Sequence, residues 1–359
     1  MLFYTVRLLQ LLLCFIIWGS AEQELARAQS VVFWSEDRSN VEGFRVSEAG
    51  VRSQWRAALL KFTETTSVTA AWRQLGIEAG DHLGIKVSTM GGRLSGTRLE
   101  LVNAVVGSLK EAGINRITVW DKWRRDMELA GYLGDIERID ARVIAVLPKP
   151  PGMSPKHFLD YPLVGKLIPG DVDFLSEYQR DRLKPSQVSD RKRYWDLKNG
   201  TSRRSYFAKP LALDFSKIVN IAALTDHHIY GIHGCMLSLA LGSVDNTLRF
   251  TQGSRGVDEA IGEILDHPVL KSKLMLHVMD ALRVQYASGP RQEAEFIRPA
   301  GILLLSKDPV AVDRLGVEII DQCRIKAGMT PVEGMAGHVG ASAEIGLGEA
   351  RREKIIVRR

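Results

Sequence analysis

Cysteine is scarce in this chain of 359 residues, which contains three. Cys14 lies in an N-terminal apolar run, so Cys235 and Cys323 are the two that remain for the folded part. Two thiols cannot supply the four thiolates of the common iron–sulfur clusters, and no such cluster is expected. We expect two buried, unpaired thiols, and the alternative that Cys235 and Cys323 form a disulfide stays open.

Several motifs of familiar enzyme classes are also missing. The sequence has no phosphate-binding loop ending in Gly-Lys-Ser/Thr and no Gly-x-Gly-x-x-Gly dinucleotide fingerprint. It has no Gly-x-Ser-x-Gly elbow of the kind that carries a nucleophilic serine. The sequence therefore does not name a reaction, and any cofactor is unknown at this stage.

Long hydrophobic runs are lacking as well. Residues 8–18 are apolar except for Gln10, whereas a membrane-spanning helix needs about 20 apolar residues. Arg7 precedes the run, and Ala26-Arg27-Ala28 follows it as a small-x-small cleavage pattern, with Gly19-Ser20-Ala21 as an earlier option. This layout predicts a signal peptide over residues 1–28, with an uncleaved anchor as the alternative.

Export has consequences for location and partners. We expect the general secretory route, a periplasmic or extracellular location, and no stable membrane span once the signal is cleaved. That route threads an unfolded chain, so a cofactor would have to be acquired outside the cytoplasm. The formal net charge is +6, and basic residues are concentrated over residues 180–204. Because an exported protein does not meet the genome, we interpret this stretch as a solvated insertion and expect no nucleic-acid partner.

Strand and helix signals alternate along the rest of the chain, which predicts an α/β fold. We expect a mainly parallel sheet flanked by helices, forming a single domain over residues 29–359, with an irregular basic insertion at about 148–214. Predicted strands lie at 31–34, 83–87, 117–119, 143–147, 218–224, 273–282, 302–305 and 354–357. Predicted helices lie at 48–62, 68–75, from 97 to about 112, at about 229–241, and from 309 onward.

Polar side chains stand near the ends of several predicted strands. Lys86 closes an apolar strand, and an ammonium buried there needs a carboxylate or a ligand. Ligands of open α/β sheets gather outside the carboxyl ends of the strands, where these side chains would converge. The residues concerned are Lys86, Asp121, Asp226, His227, His228, Asp280 and Asp308. Asp308 is equally explained as a helix cap, and Asp121 as a strand-end residue.

Two binding hypotheses follow from this edge. His227, His228 and Asp226 offer nitrogen and oxygen donors for a divalent metal, and polar loop residues explain the same pattern. Gly91 and Gly92 precede a helix that starts at Thr97, and these three residues could present backbone N–H groups to an anion. A flexible connection between strand and helix explains the same glycines.

Three segments together resemble the family called domain of unknown function 362. They are residues 84–87 with the helix after Thr97, residues 218–227, and residues 280–313 with Ser306-Lys307-Asp308-Pro309. The resemblance extends over roughly residues 31–357 and implies an α/β fold. It also places a polar site around Lys86 and Asp226-His227.

The chain departs from the family at several site positions. Relatives usually have Lys-Pro-Asn where this chain has Lys86-Val87-Ser88, and Lys where it has Thr225. Leu237 and Ser238 stand at a usual Lys-Asn pair. We therefore carry two hypotheses. One is an exported enzyme or degenerate enzyme, with Lys86, Asp226 and His227 as catalytic residues; the other is a non-catalytic periplasmic protein that binds a small molecule or an anion.

Overall fold

A mixed β-sheet forms the centre of the molecule in the computed structural model, which describes residues 30–134, 139–147, 205–245, 247–251 and 256–359. The strands of these residues are β1 Ser30–Glu36, β2 Val41–Glu42, β3 Arg45–Val46, β4 Leu83–Val87, β5 Ile117–Trp123, β6 Arg142–Leu147, β7 Lys217–His227, β8 Gly231–His233, β9 Leu274–Gln285, β10 Ile297–Ser306 and β11 Ile355–Arg358. Nine of them make one sheet in the order β11-β1-β10-β9-β7-β4-β5-β6, with β8 paired to β7. Strands β2 and β3 pair separately.

Five neighbouring strands of this sheet run parallel. Strands β9, β7, β4, β5 and β6 pair in parallel, so their carboxyl ends lie at one edge. Strand β10 is antiparallel to β9, and β1 is antiparallel to β10. The predicted α/β class with a mainly parallel sheet is confirmed, with an antiparallel margin added on one side.

Helices cover both faces of the sheet. They are α1 Glu48–Thr63, α2 Val68–Gln74, α3 Gly92–Ser95, α4 Leu99–Glu111, α5 Arg124–Ala130, α6 Cys235–Ser243, α7 Leu248–Thr251, α8 Val257–Asp266, α9 Pro268–Lys271, α10 Pro309–Lys326 and α11 Gly337–Glu344. One apolar core contains residues of α1, α2 and α4 together with Ile85 and Val219. A second contains residues of α6, α8, α10 and α11 together with Trp120 and Ala222. Burial of apolar side chains on both faces is the main force that holds the three layers together.

Local capping signals predicted several helix starts correctly. The Ser47 hydroxyl accepts the N–H of Gly50 at the start of α1, and Ser67 caps α2 in the same way. Asp308 caps α10 by accepting the N–H of Ala311 at 2.9 Å, with Pro309 in the first turn. Such caps satisfy backbone donors that have no partner inside the helix.

The segment after β7 differs from the prediction. A helix over 229–241 was expected, but β7 continues to His227 and turns back as β8, and α6 begins only at Cys235. Gly231 has φ +72°, and an added Cβ would lie 2.8 Å from the carbonyl oxygen of Val332. The buried carboxylate of Asp313 then accepts the N–H groups of Cys235 and Met236 at 2.7 and 2.9 Å. Because that carboxylate comes from distant α10, local periodicity could not place the helix start.

Some predictions fall outside the described residues. The signal peptide at 1–28 and the greater part of the insertion, residues 148–204, lie there, including the basic stretch 180–204. Of the expected insertion, residues 210–214 form one π-helical turn, Pro210–Asp214. Cys235 is buried and Cys323 half-buried, and both thiols are free. Within the described residues, no helix is both long enough and apolar enough to cross a membrane.

Candidate functional site

A small cavity of about 110 Å³ opens at the carboxyl edge of the parallel strands. It lies where β4, β5 and β7 end, next to the first turns of α6. The side chains that line it and carry polar groups are Lys86, Ser88, Thr89, Asp121, Lys122, Asp126, His227, His233, Ser238 and Thr247. The structure thus brings Lys86, Asp121 and His227 to one cavity, as expected from their positions at strand ends.

Lys86 is buried and fully hydrogen-bonded. Its Nζ lies 2.9 Å from Oδ1 of Asp121, 2.7 Å from the carbonyl oxygen of Val87 and 3.2 Å from the hydroxyl of Ser238. The side chain also lies over the ring of Trp120, with Nζ 5.5 Å from the ring centroid. An ammonium has three N–H donors, and these three protein acceptors use all of them. Lys86 therefore stabilises the wall of the cavity and has no donor left for a ligand.

Asp121 joins the two strand ends through four contacts. Besides Lys86, its Oδ1 accepts the backbone N–H of Lys122 at 2.7 Å. Its Oδ2 accepts the N–H and the hydroxyl of Thr89, at 2.9 and 2.5 Å. A buried carboxylate is tolerated when its lone pairs are satisfied in this way. Asp121 thereby fixes the loop after β4 to the end of β5.

Lys122 is the lysine of this cavity that retains donors. It is 4% exposed, and within the described residues its Nζ has one hydrogen-bond partner, the carbonyl oxygen of Leu241 at 3.2 Å. Burial lowers the pKa of Lys122 to about 8, because desolvation disfavours the charged form. This residue was not predicted from the sequence. Its position directly after Asp121, at the end of β5, was the signal that could have found it.

His227 lies at the rim of the cavity as a neutral ring. Its Nδ1 accepts the N–H groups of Ile229 and Tyr230, at 3.2 and 3.3 Å. A nitrogen that accepts two N–H bonds carries no proton, so the proton of the neutral ring is assigned to Nε2. Burial lowers the pKa of His227 to about 4. This arrangement suits a hydrogen-bond donor to a ligand better than it suits the catalytic role expected for His227 from the sequence.

His233 also lines the cavity, from β8. Its Nδ1 lies 3.4 Å from the hydroxyl of Ser88, and its ring stacks on that of His227 with centroids 6.4 Å apart. Burial lowers the pKa of His233 to about 3, so the ring is neutral at neutral pH. Two neutral imidazoles therefore form one wall of the cavity and can exchange hydrogen bonds with a polar ligand.

Asp226 is not brought to this cavity. Its Oδ1 accepts the N–H of Gly289 at 2.8 Å, and the side chain is 2% exposed. Burial raises the pKa of Asp226 to about 6. Successive residues of a strand point to opposite faces, which separates Asp226 from the ring of His227. The catalytic grouping of Asp226 with Lys86 and His227 is therefore corrected to a role in holding the turn at Gly289.

The expected metal site is not formed by these residues. His228 Nδ1 lies 3.1 Å from the carbonyl oxygen of Gly289, next to Asp226, and its ring stacks on that of His227. Across the described ranges, no group of three or more His, Cys, Asp or Glu side chains is arranged to hold a metal ion. In the hairpin the rings of His227 and His228 stack on each other, and Asp226 accepts a hydrogen bond from Gly289, so the three donors do not converge.

The expected anion loop is closed by internal hydrogen bonds. Gly91 precedes the short helix α3 and Gly92 begins it, and both glycines are buried. Thr97 Oγ1 accepts the N–H of Ser88 and donates to the carbonyl oxygen of Ile221, both at 2.9 Å. The N–H of Thr97 donates to the carbonyl oxygen of Ser88 at 2.7 Å. Thr97 therefore joins β4 to β7 and does not offer donors to an anion.

Two further acidic residues of the predicted edge lie elsewhere. Asp280 lies inside β9, where it accepts the N–H of Arg98 at 2.7 Å. Asp308 follows β10, which runs antiparallel to β9, so its end lies at the opposite edge of the sheet. The direction of β10 decides at which edge Asp308 lies, and the sequence of β10 does not reveal that direction.

A family match covers the part of the chain that carries half of the cavity. The profile of the family described as Domain of unknown function (DUF362) matches residues 180–318. The match covers less than half of the chain and shows that this segment is similar to the DUF362 family. It contains β7, β8 and α6, which carry His227, His233 and Ser238 of the cavity. The family resemblance expected from the sequence is confirmed over that part of the chain.

Similarity to proteins of known structure is distant. A crystal structure of a Thermotoga maritima protein matches at 11% sequence identity and a TM-score of 0.38, over 80% of this chain and 61% of that chain. This chain thus spans less than two thirds of that protein's length. None of the curated proteins compared with this chain matches it.

Of the positions expected from the sequence to depart from the family pattern, Ser88, Leu237 and Ser238 line the cavity, and Thr225 is not among its lining residues. Ser238 carries no charge, but its hydroxyl is one of the three acceptors of the Lys86 ammonium. Leu237 lines the same cavity with an apolar side chain. The hydroxyl of Thr225 is buried and has no hydrogen-bond partner within the described residues. Because Lys86 has no donor left, Lys122 is the lining lysine among the described residues that keeps donors for a ligand.

Proposed function

We propose that this protein binds a small molecule carrying a carboxylate at the carboxyl edge of its sheet, with Lys122 as the charged contact. The observation that carries the proposal is the contrast between two lysines of one cavity. Lys86 uses all three donors on protein acceptors, whereas Lys122, which also lines the cavity, donates to one carbonyl and lies over the ring of Trp123. A buried ammonium gains most from an anionic partner.

The size and polarity of the cavity define the ligand class. About 110 Å³ is room for several water-sized groups and not for a nucleotide. The neutral rings of His227 and His233 and the hydroxyl of Thr247 offer uncharged hydrogen bonds around Lys122. Asp126, which also lines the cavity, supplies a negative charge, and burial raises the pKa of Asp126 to about 6. A small zwitterion such as an amino acid would match Lys122 with its carboxylate and Asp126 with its ammonium.

Calorimetric titration with two probes, acetate and glycine, tests this proposal. We expect glycine to bind more tightly than acetate, and Lys122→Met to reduce affinity for both by at least about tenfold, the loss of one charge-assisted hydrogen bond. Asp126→Asn should reduce affinity for glycine alone. Lys61→Met, at an exposed lysine of α1, is the matched control and should change nothing. If Lys122→Met and the unsubstituted protein bound each probe with the same affinity, the proposal would be wrong.

A second candidate function is acid–base catalysis at the same site. The observation in its favour is the pKa of Lys122, lowered to about 8 by burial, which makes the amine a usable base near neutral pH. His227 would then donate a hydrogen bond from Nε2 to the developing charge. A measured pKa near the ordinary 10.5 of lysine would remove the support for catalysis and leave the binding function.

We further propose that the protein is exported, as the N-terminal sequence predicts. Support comes from the charged, apolar and small-residue segments of residues 1–28. Among the described residues the first strand, β1, begins at Ser30, so a cut after Ala28 would keep every described strand of the sheet. A periplasmic or extracellular location would also expose the cavity to small metabolites taken up from outside.

A further inference from the structure

We propose a second ligand site at the opposite, amino edge of the sheet, which takes a phosphate-bearing small molecule. A cavity of about 560 Å³ opens there, where β4, β5 and β6 begin. Its polar lining includes His82, Lys110, Arg116, Thr118, Asp140 and Arg142. This site is independent of Lys122, because β4 alone separates the two edges by about 15 Å at roughly 3.3 Å per residue.

Strand register brings the polar groups together. Thr118 of β5 is the direct neighbour of Arg142 of β6, and Leu83 of β4 is the neighbour of Ile117. His82 precedes Leu83 and Arg116 precedes Ile117, so His82 and Arg116 lie at the same height on neighbouring strands. Since alternate residues of a strand share a face, Arg116 and Thr118 point to the same side of the sheet, next to Arg142.

The side chains that line this cavity carry an excess of positive charge. Within the described part of the chain, neither Arg116 nor Arg142 forms an ion pair, and both are exposed. Lys110 pairs with Asp140 at 2.5 Å, but the Asp140 side chain is 88% exposed, so this pair is readily exchanged for another anion. Asp214 is close enough to affect His82 and offsets part of the charge. Two guanidinium groups thus remain without a carboxylate partner among the residues described.

A buried polar pair forms the floor between the arginines. His82 Nε2 lies 2.9 Å from Oγ1 of Thr118, and both residues are buried. The ring of His82 is held edge-on by Phe215, with centroids 5.2 Å apart. Burial, and to a smaller extent the charge of Arg116, lower the pKa of His82. The floor therefore offers an imidazole and a hydroxyl, both of which can share hydrogen bonds with an oxyanion.

Phosphate fits these features better than a carboxylate does. Guanidinium groups bind the oxygens of a phosphate in pairs through their planar fork of N–H donors. Two such groups flanking one hydroxyl can surround a tetrahedral anion, and Lys110 can add a third cation. The cavity is several times larger than a phosphate ion, so the ligand has an organic part, as in a phosphate monoester.

Isothermal titration with inorganic phosphate and with pyrophosphate, at low ionic strength, tests the site. We expect the double substitution Arg116→Gln with Arg142→Gln to weaken binding of both probes at least about tenfold. The Lys-for-Arg double variant should recover only part of the affinity, because it keeps the charge and loses the fork. Both arginines are exposed, so the variants should fold, and circular dichroism with thermal unfolding checks that they do.

Two control variants distinguish loss of this site from a general loss of positive charge. Arg73→Gln removes an exposed arginine at the end of α2 and should leave phosphate binding unchanged. Lys122→Met removes the charged contact of the carboxyl-edge cavity, and the phosphate binding that the arginine double variant weakens should remain in it. The proposal would be overturned if the unsubstituted protein did not bind phosphate, or if Arg73→Gln lost as much phosphate affinity as the arginine double variant. It would also be overturned if Lys122→Met lost phosphate binding while the arginine double variant kept it.

Discussion

Lys86 Nζ lies 2.9 Å from Oδ1 of Asp121, and this buried pair joins the carboxyl ends of the neighbouring strands β4 and β5. The remaining donors of Lys86 go to Val87 and Ser238, so the lysine expected to act on a ligand instead supports the cavity wall. Lys122, the residue after Asp121, lines the same cavity and has one hydrogen-bond partner among the described residues. This division of roles between the two lysines has measurable consequences for stability and titration.

Removal of the Lys86 charge should destabilise the protein strongly. Lys86→Met leaves the buried carboxylate of Asp121 without its cation, which costs about 3–5 kcal/mol in comparable buried pairs. The double variant with Asp121→Asn should lose less than the sum of the two single losses. Urea unfolding monitored by circular dichroism measures each free energy of unfolding.

An exposed ion pair gives the matched control for Lys86. Arg124 and Glu128 pair at 2.7 Å on the surface of α5, and Arg124→Gln should cost below about 1 kcal/mol. If Lys86→Met lost no more than Arg124→Gln, the structural role assigned to Lys86 would be contradicted.

Lys122 should titrate well below an ordinary lysine. Burial lowers its pKa to about 8, so its ammonium should lose its proton over roughly pH 7–9. Carbon-13 NMR of protein labelled at lysine Cε measures this directly, and the resonance is assigned by its absence in Lys122→Met. Bound acetate should raise the pKa, because an anion favours the charged form. A titration midpoint above about 10 without ligand would exclude the desolvated environment described for this ammonium.

His338 should make the protein less stable as the pH falls. It is buried in α11, neither ring nitrogen has a hydrogen-bond partner among the residues described, and burial lowers its pKa to about 4. Between pH 4 and 6.5 the unfolded chain therefore binds more protons at this position than the folded one. The free energy of unfolding should therefore increase as the pH rises from 4 to 6.5. The stabilisation that this histidine contributes should be lost as the pH falls through the same range.

Substitution of this histidine isolates its contribution. His338→Leu should reduce the slope of unfolding free energy against pH between 4 and 6.5 by up to about 1.4 kcal/mol per unit. Ser342→Ala, one turn further along the same helix, carries no titrating group and should leave the slope unchanged. Urea unfolding at several pH values measures both slopes, and an unchanged slope in His338→Leu would contradict the neutral buried ring.

Export predicts a defined mature terminus. Expression of the full chain in a bacterial host should yield protein in the periplasmic fraction that begins at Gln29, after cleavage behind Ala28. Substitution of Ala26 and Ala28 by bulky residues should block that cut and leave a longer, membrane-associated form. N-terminal sequencing and fractionation against a cytoplasmic marker decide the outcome, and recovery of uncleaved protein in the cytoplasm would count against export.

Local patterns in the chain were enough to establish most elements and the fold class. Helix starts at Ser47, Ser67 and Asp308 were predictable because capping depends on residues within one turn of each other. The apolar alternation of strands and helices was equally local, and it gave the α/β class and the burial of Lys86. Asp121 was the available strand-end partner for that charge.

Which predicted residues meet was decided by contacts between distant parts of the chain. The hairpin that ends at His233 depends on Gly231 packing against Val332 and on the distant carboxylate of Asp313, so no local pattern could replace the predicted helix with a strand. Asp308 lies at the other edge because β10 runs antiparallel, and Asp226 turns away to Gly289. Strand direction, strand order and facing arise from interactions between residues far apart in sequence. Topology therefore decided which residues meet at each edge of the sheet, and the local sequence around those residues did not.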